Sequence, residues 1–255
     1  MSKLDEFKKV EVEGDFHLDG YLILRSFFDA NEIAHIYDAI RQDEVSTLSK
    51  IRNLLEIGQF DKSDVAIEAN SFKYLKYANF WFKDISKLIN LSLITRVGKL
   101  IGENDYITGL ELHQKFPGIS GTPPHQDNFY FGLDLKKNLA LTAYIALNEQ
   151  AGEQGGLGFY SGSHLKVFNH HKSNAIGFSS GINKADLKGL ELYTPNFFPG
   201  DVVLHHCNIV HEAKANNSLN IRSNIAIRFY PSNPQYDIEL KRKYQDFLSQ
   251  SSRFS

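Results

Sequence analysis

Val202-Val203-Leu204-His205-His206-Cys207-Asn208-Ile209-Val210-His211 reads as a strand, a tight turn and the start of a further strand, launched by the turn Pro199-Gly200-Asp201. The same texture extends over most of the chain. From about Asp105, short runs rich in β-branched and aromatic residues alternate with turn signals: Ile107–Leu112, Phe129–Phe131, Leu139–Leu147, Leu157–Tyr160, Val202–His206 and Ile225–Tyr230. Strands in such succession point to an antiparallel sandwich or small barrel.

The first third is mixed. Phe16–Leu24 is strand-like, with Gly20 ahead of Tyr21-Leu22-Ile23-Leu24. Asp29 and Glu32 form a capping-box pattern before Ile33, Ile36, Tyr37 and Ile40. Their i, i+3, i+4, i+7 spacing predicts a helix that lays one apolar stripe on the body of the protein. A second helical pattern covers roughly Trp81 to Ile101, with Ile85, Leu88, Ile89 and Leu93 on one face. Leu240, Tyr244, Phe247 and Leu248 predict a short amphipathic helix near the end. No repeat, low-complexity run or Pro/Gly-rich linker divides the sequence, which favours a single domain over 1–255. The expected architecture is mainly β with flanking helices, a helical first third packed on a β-sandwich core from about residue 105.

Composition narrows the function. Among 255 residues, 28 Lys and Arg face 30 Asp and Glu, a formal charge of −2. A nucleic-acid binder normally carries a basic face, so that class is not expected. Cys207 is the single cysteine, which excludes an intramolecular disulfide and a thiolate-only metal site. The 19 Phe and 12 Tyr suit a β-rich core with a deep pocket. Met1–Glu6 has mixed charge and no apolar region, and no run approaches the roughly 18 apolar residues of a membrane helix. No membrane partner is expected, and a cytoplasmic location is.

His125-Gln126-Asp127 is the most informative triplet. In an extended segment residues i and i+2 project to one side, so His125 and Asp127 can grip one ion while Gln126 points elsewhere. A bare His-x-Asp arises often by chance, and a third ligand must come from another strand. The stretch ending at His211 offers three imidazoles: His205, His206 and His211. Two imidazoles and one carboxylate on one face, with open positions opposite, form the facial triad of non-haem Fe(II) oxygenases. Eleven residues beyond His211, Arg222 heads an apolar strand. Burying it is costly without an anion, either a planar carboxylate ligand or an internal acid.

Taken in order, these residues resemble the phytanoyl-CoA dioxygenase family: His125-x-Asp127, then His211, then Arg222, in a β-rich region after a helical first third. Asp19-Gly20-Tyr21-Leu22-Ile23-Leu24 with Phe27-Phe28-Asp29 is similar to the family's opening strand and helix. Gly156-Leu157 through Ser161-Gly162-Ser163-His164 is similar to its Gly-x-Leu…Pro-Gly-Ser-His segment, with Ser161 where Pro is usual. Pro199-Gly200-Asp201-Val202-Val203 matches its Pro-Gly-Asp strand start. The resemblance implies a double-stranded β-helix (jelly roll, cupin-like) and an Fe(II)- and 2-oxoglutarate-dependent dioxygenase. Such an enzyme uses O2 to hydroxylate an unactivated C–H of a small-molecule substrate, releasing succinate and CO2. It further implies that His125, Asp127 and His211 hold the iron and that Arg222 binds the distal carboxylate of 2-oxoglutarate. Tyr144 falls where the family places an aromatic residue, usually Trp, beside the co-substrate. Thr142, two residues before it, is placed to donate a hydroxyl to the same co-substrate carboxylate. His113 matches a polar co-substrate contact, and Phe131 packs near the same pocket.

One departure stands out. Many members carry Ser or Thr two residues after the distal His; this chain has Ala213. Asp127, by contrast, leaves no coordination position vacated for chloride, which disfavours halogenation. His205 and His206 are read as strand histidines near the site. His170-His171 is read as a solvated turn, and Gly155-Gly156-Leu157-Gly158 lacks the helix and Gly-Lys-Ser/Thr of a phosphate loop. Phe72, Tyr74, Tyr77, Phe80 and Trp81 are read as packing of the helical layer, with the substrate wall as the other possibility. Two rivals stay open: a non-catalytic jelly-roll binding module, and a Zn hydrolase, since two His and a carboxylate also suit catalytic zinc.

Overall fold

The computed structural model describes residues 10–68, 70–88, 91–102, 106–173 and 180–251. Met1–Glu6, Ile89 and Asp105, named above, lie outside these ranges. Asp29 starts α1 (Ala30–Glu56) by accepting from the backbone N–H groups of Asn31 and Glu32, at 2.9 and 3.2 Å. Those donors would otherwise be bare at the helix start. Ile33, Ile36 and Ile40 are buried as their spacing predicts, and the stripe continues to Leu48 and Ile51. The sequence hides that continuation because Glu44 interrupts it. Buried Glu44 is satisfied by the Phe72 N–H at 2.9 Å, by Gln114 Nε2 at 2.8 Å and by the Ser71 hydroxyl.

Two helix-and-strand expectations in the first third are corrected. The Trp81–Ile101 pattern is not one helix: α2 (Ala78–Trp81) ends at extended Phe82, a 3-10 segment spans Lys83–Leu88, and α3 (Leu91–Ile101) follows. Ile85, Leu88 and Leu93 are nonetheless all buried. Only the second half of Phe16–Leu24 is extended. Asp15 accepts from the His17 and Leu18 N–H groups and folds the preceding residues into a turn, a local bond that competes with strand pairing.

The strands are β1 (Val12–Glu13), β2 (Tyr21–Leu24), β3 (Val65–Glu68), β4 (Ser71–Lys76), β5 (Tyr106–Lys115), β6 (Thr122–His125), β7 (Leu141–Ala146), β8 (Leu157–Tyr160), β9 (His171–Lys172), β10 (Ser180–Gly181), β11 (Leu192–Tyr193), β12 (Val202–His206), β13 (His211–Ala213) and β14 (Arg222–Pro231). The large sheet runs β1-β2-β12-β7-β14-β5-β4-β3, the smaller one β11-β8-β13-β6, and β9 pairs with β10. Every pairing is antiparallel. From β5 to β8, and again from β12 to β14, successive strands alternate between the sheets. That winding is a double-stranded β-helix. Phe129–Phe131 is the exception among the expected strands: it is helical, in α4 (Asn128–Phe131), closed by Gly132 at φ +67°. Aromatic composition suits a strand, but Asp127 already has helical dihedrals and Gly132 supplies the left-handed stop.

The period of two sorts the large sheet into two faces. Leu112, Leu141, Ala143, Ile145, Leu204, Ile225 and Ile227 point outward into one core with Ile33, Ile36 and Ile40 of α1 and Val97 of α3. Tyr21, Ile23, Tyr144 and Val203 point inward and meet Leu157, Phe159 and Ala213 of the small sheet. Glu111, His113, Lys115, Thr142, His205, Arg222, Asn224 and Arg228 share this inner face, and these polar side chains make the site. The C-terminal helix α5 (Ile238–Ser251) forms as predicted and sets Tyr244 and Phe247 edge-on to Phe129, ring centroids 5.4 and 5.7 Å away.

The turn before β12 depends on glycine. Gly200 has φ +92°, and a Cβ there would fall 2.2 Å from the Phe28 carbonyl oxygen. Its neighbour Asp201 holds the Ser26 N–H at 2.8 Å and Arg25 at 2.7 Å. Gly200→Ala is therefore expected to destabilise the protein by more than about 1 kcal/mol, read as a lower urea midpoint; an unchanged midpoint would contradict this account of the turn.

Candidate metal centre

His125 ends β6 and His211 begins β13, and the two are cross-strand partners. Antiparallel pairing thus sets two imidazoles side by side, ring centroids 4.2 Å apart. His125 Nδ1 donates to the Pro123 carbonyl at 2.9 Å and His211 Nδ1 to the Ile209 carbonyl at 3.1 Å. Each bond fixes the tautomer and turns Nε2 toward Asp127, the arrangement of a metal-ligating histidine. The Nε2 atoms lie 3.7 and 3.9 Å from Asp127 Oδ1. One ligand atom from each of the three residues falls within 4.8 Å of the others, and all three residues are buried.

Asp127 reaches this point differently from the pleat argument. It is not extended: at φ −59° and ψ −34° it turns out of β6 into α4. Gln126 does point elsewhere. Its amide donates to Lys166 and Asn208 carbonyls at 2.7 and 2.6 Å, and its carbonyl accepts from Phe168 N–H at 2.9 Å. His170 corrects the solvated-turn reading: its Nε2 accepts from Gln126 N–H at 3.1 Å and its ring stacks on Phe129, centroids 4.0 Å apart. These residues buttress the triplet from behind. A histidine in a polar stretch gave no sequence signal for that role.

The protonation states fit a cation. Burial pushes His125 down to about 3 and His211 to about 4, so both are neutral at pH 7. Burial also opposes ionisation of Asp127, but His211, which is charged in the acidic range where a carboxyl titrates, and Arg228 outweigh it and hold that carboxyl well below the usual range. Two neutral imidazoles and one anionic carboxylate are the donor set a divalent ion needs. His205, on the inner face of β12, stands beside His211 with centroids 4.8 Å apart; His206 is on the other face, against Phe16 and His164. The Thr142 hydroxyl lies 3.4 Å from Asp127 Oδ2 and so faces the candidate metal ligand.

Arg222 opens β14 on the same inner face, 6% exposed. Among the described residues no carboxylate lies within 4.0 Å of it; one Nη donates to the Gly155 carbonyl, and its Nε has no partner. The glycine-rich stretch set aside above thus has a purpose. Gly155, at φ +70°, packs so closely on the Lys214 and Ala215 carbonyls that a Cβ would collide with both. Cross-strand from Arg222 is Lys115, also buried, whose Nζ donates to the Lys214 carbonyl at 2.8 Å. Burial and the neighbouring Arg222 push Lys115 down to about 7. Tyr144 is buried on this face and its hydroxyl donates to Gln150. Asn224, between Arg222 and Ala226, leaves a buried carbonyl oxygen without a partner.

Towards the other end of β14, Arg228 meets Glu111 at 2.9 Å. His113 and Tyr74 donate to the same carboxylate at 3.2 and 3.1 Å. His113 is thereby engaged with Glu111, and Phe131 lies beside the group, the Arg228 guanidinium 5.4 Å from its ring centroid. The aromatic run divides: Phe72 is core, Trp81 packs partly buried against it, Tyr77 and Phe80 are exposed, and Tyr74 joins the site. Sequence reasoning missed Lys115, Glu111 and Arg228, although the alternation of Arg222, Asn224, Ala226 and Arg228 places both guanidinium groups on one face.

A β-helix enclosing a His/Asp/His cluster opposite an unneutralised guanidinium defines an iron- and 2-oxoglutarate-dependent oxygenase. The chain belongs to the phytanoyl-CoA dioxygenase (PhyH) family, whose profile matches residues 16–224. A probable alpha-ketoglutarate-dependent hypophosphite dioxygenase of Stutzerimonas stutzeri is 25% identical over 207 residues, 78% of this chain and 70% of that protein. Among solved structures, EctD from S. alaskensis with 2-oxoglutarate and 5-hydroxyectoine superposes with a TM-score of 0.64, at 21% identity, over 87% of this chain and 76% of that one. The epimerase SnoN with Fe3+, alpha ketoglutarate and nogalamycin RO gives a TM-score of 0.61 at 22% identity, over 87% and 82%. The carbocyclase SnoK gives 0.62 at 21%, over 89% and 87%. No helix of the described residues is long and apolar enough to cross a membrane.

Anaerobic titration with Co(II) is expected to show one tight site in the unaltered protein. His211→Ala and Asp127→Ala should each weaken it by more than about tenfold, given what loss of even an outer-sphere partner costs. Equal binding by either variant would remove that residue from the ligand set.

Proposed function

We propose that the chain hydroxylates an unactivated C–H of a small-molecule metabolite, with His125, Asp127 and His211 holding Fe(II) and Arg222 holding the distal carboxylate of 2-oxoglutarate. When bound, the iron and its co-substrate supply O2-dependent oxidation with release of succinate and CO2. The observation that carries the reading is the pairing of a buried His/Asp/His cluster with a buried arginine that no acid among the described residues neutralises. A Zn hydrolase has no use for such an arginine, and family membership favours catalysis over passive binding. Relatives that epimerise or close rings share the fold, so hydroxylation is the finer part of the proposal.

The residues divide the work. His125 and His211 present lone pairs because backbone carbonyls hold their other nitrogens. Thr142 orients the Asp127 carboxylate. Arg222 presents an unfilled donor to a diacid, and Gly155 fixes the direction of its fork. Lys115 answers the missing hydroxyl at Ala213. Its ammonium reaches the carbonyl of the next residue, Lys214, and two buried cations with no acid beside them among the described residues form a site for a carboxylate.

Calorimetry with 2-oxoglutarate on the metal-loaded, oxygen-free protein tests this. Arg222→Gln is expected to raise the dissociation constant by about 10² or more, the order lost with a buried charge-assisted pair. Unchanged affinity would refute the assignment. Lys115 adds a pH dependence. With its pKa lowered to about 7 in the free protein, it is charged below pH 7 and neutral above. Affinity for the dianion should therefore fall as pH rises from 7 to 9, and Lys115→Met should flatten the slope. A slope unaffected by Lys115→Met would assign the dependence to another group.

A further inference from the structure

We infer that Arg228 is the substrate-anchoring cation of this enzyme, and that the substrate carries an oxyanion, a carboxylate or a phosphonate, which its guanidinium receives. The inference rests on the oxygenase reading above and adds the substrate class to it.

Arg222 and Arg228 point to the same face of one strand because they are separated by an even number of residues. Arg228 is cross-strand from Thr142, and the Thr142 hydroxyl touches Asp127. Arg228 therefore stands beside the cluster, while Arg222 lies six residues back along β14. A co-substrate reaching from the cluster toward Arg222 leaves the Arg228 side for the substrate.

Glu111 is only 6% exposed in its side chain, and its oxygens are taken by Tyr74, His113 and Arg228. It acts as a socket. The Arg228 side chain is 36% exposed, and Glu111 is its one carboxylate partner among the described residues. Phe131 covers the guanidinium from one side, its ring centroid 5.4 Å away. Arg25 shows what a purely structural arginine looks like here: Nε and both Nη groups are committed to Glu13, Asp201 and the Asn196 carbonyl, and its side chain is 18% exposed. Arg228 instead presents an oriented edge with donors to spare, the geometry that receives a bidentate oxyanion. Glu111 already accepts from three groups, so the cationic edge of Arg228 is the larger opening for a charged substrate group.

The test compares acids with their uncharged partners on the unaltered protein loaded with Co(II) and 2-oxoglutarate, without oxygen: hexanoate against hexanamide, and benzylphosphonate against its diethyl ester. Calorimetry is expected to show at least one acid binding tenfold or more tighter than its partner. Arg228→Gln should erase that preference while the dissociation constant for 2-oxoglutarate stays within about twofold. Equal binding of acid and partner by the unaltered protein, no binding of either acid, or a preference that survives Arg228→Gln would each overturn the inference. Should 2-oxoglutarate itself fail to bind, the oxygenase reading falls instead. The comparison on the unaltered protein needs no variant to fold, and Arg228→Lys, which keeps the charge but not the fork, should retain only part of the preference.

Discussion

The architecture turns on one cross-strand pair. His211 on β13 lies opposite His125 on β6, and their Nδ1 atoms are both spent on backbone carbonyls. Moving the register by one residue would send one imidazole to the far face of the small sheet and dismantle the cluster. Much of the surrounding structure protects that register. The Gln126 side chain ties the triplet to the Asn208 turn, His170 braces it from outside, and the opposing sheet presses Thr142 against Asp127.

The interior is sorted electrostatically along a single strand. At the Arg222 end two cations stand together with no acid beside them among the described residues, an arrangement that is unfavourable in isolation and favourable around an anion. At the Arg228 end the cation is partly balanced by Glu111, and Glu111 is in turn held by Tyr74 and His113. The cluster lies between these environments, on the side nearer Arg228. Under the proposed function this polarity gives a diacid and a second ligand separate approaches, as an enzyme of two organic substrates and one metal needs.

Much of this was readable from residue order. Strand boundaries at Leu157–Tyr160 and Val202–His206 match the structure because both runs are flanked by turn formers and buried on both faces. The candidate ligand residues were recognisable because each sits in a motif with its own spacing. What failed were places where composition and conformation part company. Phe129–Phe131 looks like a strand but is a helical turn, since Asp127 and Gly132 dictate the backbone. For Thr142, alternation gives the face the residue points to but not the neighbour it meets there, the Asp127 carboxylate. Lys115, Glu111 and Arg228 were missed for a related reason: their meaning lies in cross-strand partners, which a single sequence does not display.

The central claim, that this cluster runs an oxidation consuming 2-oxoglutarate, is tested most directly by quantifying succinate in air with the purified protein, Fe(II) and 2-oxoglutarate. Succinate is expected to accumulate only when iron and co-substrate are both present, and to cease when Zn(II) replaces Fe(II). Succinate at the level of the iron-free control, or equal formation with Zn(II), would contradict the account.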